Sequence, residues 1–161
     1  MARWLVLATL VLASGVLDAH AARTLLADFL KRPSLNSDEP TMSVLALEAC
    51  MRRAQELDQT GTAIDYEIAA IDREAAEALL LQRQLNTDLP FVGGYDEPAL
   101  QEFQRRAVRH EELAKKFHAE FPLYQQKQKA YDEAVEEFER ICARPFQQND
   151  LEAVKRKLDL N

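Results

Sequence analysis

Residues 47–85 read LEACMRRAQELDQTGTAIDYEIAAIDREAAEALLLQRQL, and their spacing decides the fold. Leu47, Cys50, Ala54, Leu57, Gly61, Ile64, Ile68, Ile71, Ala75, Ala78, Gln82 and Leu85 follow one another in steps of three and four without a break. Side chains at that spacing share one stripe of an α-helix, and a stripe sustained over several heptads is the seam of a coiled coil. Carboxylates such as Asp65, Glu67, Asp72, Glu74 and Glu77 lie between, as expected of the solvated faces.

A second seam follows: Leu100, Phe103, Ala107, His110, Ala114, Phe117, Phe121, Tyr124, Gln128, Tyr131, Val135, Phe138 and Cys142. Pro122 falls inside it and reads as a kink, because the seam keeps phase on both sides. Between the seams lies Asn86–Pro98, with Pro90 and the Gly93-Gly94 pair, where a helix cannot continue comfortably. Asp96 or Glu97 suits the N-cap of the second helix, with Pro98 in its first turn.

In an antiparallel hairpin, facing residue numbers have a constant sum. Setting Cys50 against Cys142 fixes it at 192, and its midpoint, residue 96, falls in the Gly/Pro-rich break. The register then sets Ala54 against Phe138, Gly61 against Tyr131 and Ala75 against Phe117, small against large, which lets facing layers interdigitate. Gln82 meets His110, a polar pair expected to satisfy itself. The expected fold is all-α: a long antiparallel two-helix coiled-coil hairpin with short flanking helices, closed by a Cys50–Cys142 disulfide. Two unpaired buried thiols are the alternative.

The flanks are short. Leu25, Leu26, Phe29 and Leu30 suit one or two helical turns; Pro33–Pro40 reads as a linker, and Pro40 suits the first turn of the next helix. Pro145 stops the second long helix. Asn149-Asp150-Leu151-Glu152 has the pattern of a capping box, and Leu151, Val154 and Leu158 form one stripe behind it. Phe29, Leu30, Phe146 and that stripe are expected to pack together at the disulfide end. The segments are thus 1–21, a signal peptide; 22–40, short helix and linker; 41–148, hairpin; 149–161, C-terminal helix.

The signal reading rests on Arg3, the apolar run Trp4–Leu17 and the small residues of Ala19-His20-Ala21. It places the protein in the periplasm or outside the cell, an oxidising compartment in which paired cysteines form disulfides; an uncleaved N-terminal anchor is the alternative. Of 161 residues, 27 are acidic and 20 basic, a net charge of −7, with both signs interspersed. That disfavours nucleic acid and a polybasic membrane surface.

No chemistry converges. His110 and His118 are two turns apart, too far to share a metal, and there is no nucleophile elbow, phosphate loop or C-x-x-C motif. No cofactor, metal, catalytic residue or small-molecule substrate is expected. The notable feature is the loop end. Leu79, Leu80 and Leu81 cannot all enter one seam, and Leu89, Phe91, Val92 and Tyr95 follow. Leu80, Leu89, Phe91, Val92 and Tyr95 form the candidate partner-binding surface, the alternative being a local mini-core.

The stretch Leu47-Glu48-Ala49-Cys50, together with Cys142-Ala143-Arg144-Pro145-Phe146 through Asp150-Leu151-Glu152, resembles a group of exported bacterial two-cysteine helical-hairpin proteins with no assigned activity. The resemblance implies a fold and an envelope location. The expected function is that of a non-enzymatic structural or interaction protein, an accessory subunit with a protein partner in the cell envelope. The runner-up is a periplasmic helical chaperone that holds clients.

Overall fold

The computed structural model describes residues 24–32 and 41–160. The expected signal segment over 1–21 and the linker over 33–40, Pro40 included, lie outside them. Four α-helices and one 3-10 turn make up the described chain: α1 Leu25–Leu30, α2 Val44–Asp88, the 3-10 turn Leu89–Gly94, α3 Glu97–Ile141 and α4 Gln148–Lys157. The two long helices pack against each other, and no strand occurs among the described residues.

Both seams are inward. Every position of the α2 seam is buried or half-buried, from Leu47 to Leu85, and so is every position of the α3 seam from Leu100 to Cys142. Helix α3 runs unbroken through Pro122, whose ring is solvent-exposed. Leu113, 3% exposed, is a core residue just off the three–four pattern.

The described chain divides into two compact units, 70–121 and the remainder. In the remainder the disulfide Cys50–Cys142 is formed, with Cα atoms 5.9 Å apart. Tyr131 stands against Gly61, with its hydroxyl 2.8 Å from the site a Cβ would occupy. Lys127 Nζ reaches Glu67 at 2.7 Å. Within 70–121, Lys116 pairs with Glu74 at 2.5 Å and Arg109 with Glu77 at 2.8 Å. In the unit that holds the disulfide, Gly61 and Tyr131 stand on the register anchored on the cysteines.

The disulfide end carries the main core. Leu25, Phe29, Met42, Leu47, Met51, Ala54, Leu57, Phe138, Phe146, Leu151 and Val154 form one buried cluster around the cystine, with Leu30 and Leu158 packed against it. Phe29 is central, 5.9 Å from Phe138 and 5.4 Å from Phe146 between ring centroids. Helix α1 is too short to stand alone. Asp58 on α2 caps it, accepting from the N–H groups of Leu25 at 2.6 Å and Leu26 at 3.2 Å. Arg32 Nη1 donates to the Cys142 carbonyl at 2.7 Å, and Lys157 binds Glu48 at 2.6 Å, tying down α4.

Three local expectations need correction. Helix α4 begins at Gln148 after Gln147, which makes no side-chain cap bond, so Asn149 lies inside the helix and the capping box is not formed. The anchoring of Phe146, 1% exposed, lets the chain turn into the helix before Asn149 is reached. Helix α2 opens at Val44, not near Pro40, with Ser43 Oγ accepting from the Ala46 N–H at 3.3 Å. Gln82 leaves His110 unsatisfied: His110 is buried, and its Nε2 has no hydrogen-bond partner among the described residues. Asp96 does cap α3, accepting from the Ala99 N–H at 3.0 Å.

Candidate functional site

The loop between α2 and α3 is a tight turn rather than a floppy connection. Pro90 sits in the first positions of the 3-10 helix, where its missing N–H costs nothing. Tyr95 ends the turn, donating its N–H to the Val92 carbonyl at 3.2 Å and its hydroxyl to the Asp88 carbonyl at 3.4 Å. Its ring meets Phe103 edge-on at 6.5 Å. Arg106 binds the Asp88 carboxylate at 2.6 Å.

This bracing divides the five expected contact residues. Leu80, Leu89 and Phe91 are 57%, 47% and 65% exposed, whereas Val92 and Tyr95 are half-buried. Tyr95 is a fastener of the turn more than a part of its outer face. No residue of the 3-10 helix is buried. Neither Gly93 nor Gly94 has positive φ, and a Cβ on either would meet nothing within 4 Å. Local geometry does not demand them; they leave bare backbone between Phe91 and Tyr95.

A second apolar surface lies in the unit that holds the disulfide. A groove of about 830 Å3 runs between the first turns of α2 and the last turns of α3. Its floor is Met42, Cys50, Phe138 and Cys142; its walls are Ala46, Ala49, Ala134 and Ile141; its rim is Arg53, Arg140, Arg144 and Glu137. The seam reading passed over it because its wall residues sit on outer helix positions. The signal was nevertheless present as Ala46 and Ala49 on one helix and Ala134 and Ile141 on the other, small or apolar residues at helical spacing.

The same unit has a smaller cavity of about 230 Å3, lined by Leu25, Ile64, Tyr131 and Val135 and by Asp58, Asp65, Asp132, Glu136 and Glu139. No base lines it, so it is a region of negative potential. Asp58 already caps α1, and Asp132 accepts from Gln128 at 2.9 Å.

Charge elsewhere is paired. Glu48 is 9% exposed and held between Arg52 at 2.9 Å and Lys157 at 2.6 Å. The Lys157 and Arg52 hydrogen bonds hold its carboxyl below the ordinary glutamate value. The Arg109 fork does the same for Glu77, and Lys115 for Glu111. These carboxylates are consumed by ion pairing, not held ready for proton transfer. Among the described residues, no group of three His, Cys, Asp or Glu side chains stands where it could hold a metal, and no helix is long and apolar enough to cross a membrane. His118 is exposed beside Phe117, and both cysteines are in the disulfide.

Comparison with known proteins finds no match to a family model, to a curated protein or to a solved structure.

Proposed function

We propose that this protein is a non-enzymatic interaction subunit of an exported assembly in the cell envelope, and that it engages its partner through the turn between α2 and α3. The observation that carries the reading is a contrast within one turn. Tyr95, Asp88 and Arg106 brace it, yet Leu89 and Phe91 stay exposed on it, as does Leu80 on α2 before it. A braced apolar surface binds with little ordering cost, and interface cores favour aromatic and aliphatic anchors over charge. The helix flanks beside it carry mixed, mutually paired charge, such as Arg109 with Glu77 and Lys116 with Glu74, which suits solvent. The disulfide is compatible with the oxidising compartment that export implies.

The test is isolation of the native assembly from envelope fractions with the wild-type chain and with Leu80→Ser/Phe91→Ser. A partner recovered in fixed stoichiometry with wild type and lost with the variant is the expected result. Undiminished recovery with the variant moves the contact surface elsewhere. A heterogeneous set of clients, together with suppression of aggregation by the purified protein, replaces the subunit reading with a client-holding one.

A further inference from the structure

Two helices packed side by side have two grooves, one on each face of the layer. At the disulfide end this chain fills one of them itself. Helix α1 brings Leu25 and Phe29, and helix α4 brings Leu151 and Val154, onto Leu47, Met51 and Phe138. Both docked helices use the same device. An apolar stripe enters the groove, and a charged group beside it meets the opposite charge on the rim or a helix end. Lys157 of α4 meets Glu48, and the N-terminus of α1 meets Asp58.

Among the described residues, the other groove is open. Ala46 and Glu48 are two residues apart, so they point about 200° away from each other around α2. Glu48 faces α4, whereas Ala46 lines the groove of about 830 Å3, whose lining includes no residue of α1 or α4. Ile141, 56% exposed, lies along it. Alanines at 46, 49 and 134 leave room for a third helix backbone to approach at the ~8–10 Å of ordinary helix packing. The rim has the opposite sign to the filled side. It carries Arg53, Arg140 and Arg144 against the one acid, Glu137. Arg53 and Arg140 hold only exposed partners, Glu56 and Glu137, and Arg144 has none among the described residues. Exposed pairs of that kind are worth little and exchange readily for a better-placed carboxylate.

We propose that this groove docks an amphipathic helix of a partner protein whose apolar stripe is flanked by acidic residues. The occupant mirrors α4 with its charge reversed. This surface is independent of the α2–α3 turn, so a variant there leaves this docking intact, and the reverse.

The experiment uses the purified full chain and two stapled helical peptides of about four turns, each with a leucine stripe, one flanked by glutamates and the other by lysines. Binding is read by fluorescence anisotropy at low and physiological salt. The glutamate peptide is expected to bind in the micromolar range and about tenfold or more tighter than the lysine peptide, the preference shrinking with salt. Ala49→Trp, which fills the groove, should abolish binding. The triple reversal Arg53→Glu, Arg140→Glu and Arg144→Glu should invert the preference. Thermal melts of both variants establish that they fold, and Leu80→Ser/Phe91→Ser should bind as wild type does. The proposal is overturned by equal binding of the two peptides, by affinity unaffected by Ala49→Trp, or by binding of neither peptide. It is also overturned if light scattering finds a dimer that Ala49→Trp dissociates, which would make a second copy the occupant.

Discussion

The Tyr131 hydroxyl lies 2.8 Å, and its ring carbon Cζ 3.1 Å, from the point where a Cβ on Gly61 would stand. Gly61 is therefore retained for space, inside a helix that would otherwise gain from replacing it. Gly61→Ala sets two terms against each other. Helix propensity favours alanine by about 1 kcal/mol, and overpacking costs ~1–3 kcal/mol. Because a stiff ring presents three atoms to the new methyl, the clash should win, for a net loss of about 1 kcal/mol. In a Tyr131→Phe background the nearest contact is gone, and the same change should be neutral or stabilising. Chemical denaturation of the four proteins of this cycle gives the coupling directly; additive effects would mean that the ring does not press on Gly61.

The disulfide spans a sequence separation of 92. Closing a loop of that size restricts the unfolded chain by an amount worth ~4–5 kcal/mol on the chain-entropy model. Cys50→Ser/Cys142→Ser should therefore lower the melting temperature sharply while leaving the helical circular dichroism at low temperature nearly unchanged, since the cluster around Phe29 and Phe146 survives. Reductant added to the wild type should reproduce the effect, and reductant should do nothing to the double variant.

These two positions also mark what was legible in the chain. The register follows from Cys50 and Cys142 because the seam spacing is long and its midpoint, residue 96, falls in the Asn86–Pro98 break; Gly61 facing Tyr131 is a direct consequence. What was not legible depended on packing beyond the seam. Asn149 has a capping pattern, but where α4 starts is settled by Phe146 entering the core. Tyr95 was grouped with Phe91 by sequence proximity, yet its hydroxyl and ring are turned inward to Asp88 and Phe103. The open groove at Ala46 and Ala49 escaped because alanine on an outer helix position looks the same whether or not a neighbour covers it.

His110 is buried in the seam of the 70–121 unit, with Nε2 unpartnered among the described residues. A buried polar group left without a hydrogen bond costs ~1–3 kcal/mol. His110→Leu keeps the volume and removes the polar atom, so it should stabilise by about 1–2 kcal/mol, read as a higher denaturation midpoint. No change, or a loss, would indicate that the imidazole has a partner in solution.

Acid should loosen α4 through Glu48. The Lys157 and Arg52 hydrogen bonds lower its folded-state value below the ordinary one. The stability it contributes is therefore complete above the unfolded glutamate value of about 4.3, and it is lost as pH falls from there through the lower folded value. Glu48→Gln should destabilise at neutral pH and flatten the acid limb of the stability profile, with the difference from wild type vanishing at the acid end. A melting series across the acid range, with exchange of α4 amides as a local readout, checks both parts. A difference that persists unchanged into strong acid would assign the effect to packing instead of charge.

The turn separates into residues that hold it and residues that it displays, and stability should separate in the same way. Phe91 is 65% exposed, and no ring contact joins it to another of the described residues, so Phe91→Ser should change stability by less than about 0.5 kcal/mol. Tyr95→Ser removes an edge-on ring contact with Phe103 and the hydroxyl's bond to the Asp88 carbonyl, and should cost about 1–2 kcal/mol. Loss of partner binding should run the other way. Phe91→Ser removes an anchor from the outer face and should weaken assembly with the fold untouched, whereas Tyr95→Phe, which keeps the ring, should leave assembly close to wild type. Melting curves paired with recovery of the native assembly place each variant on both axes. Equal stability losses at 91 and 95 would mean that Phe91 packs into the turn, and the exposed surface would then have to be sought at Leu80 and Leu89 alone.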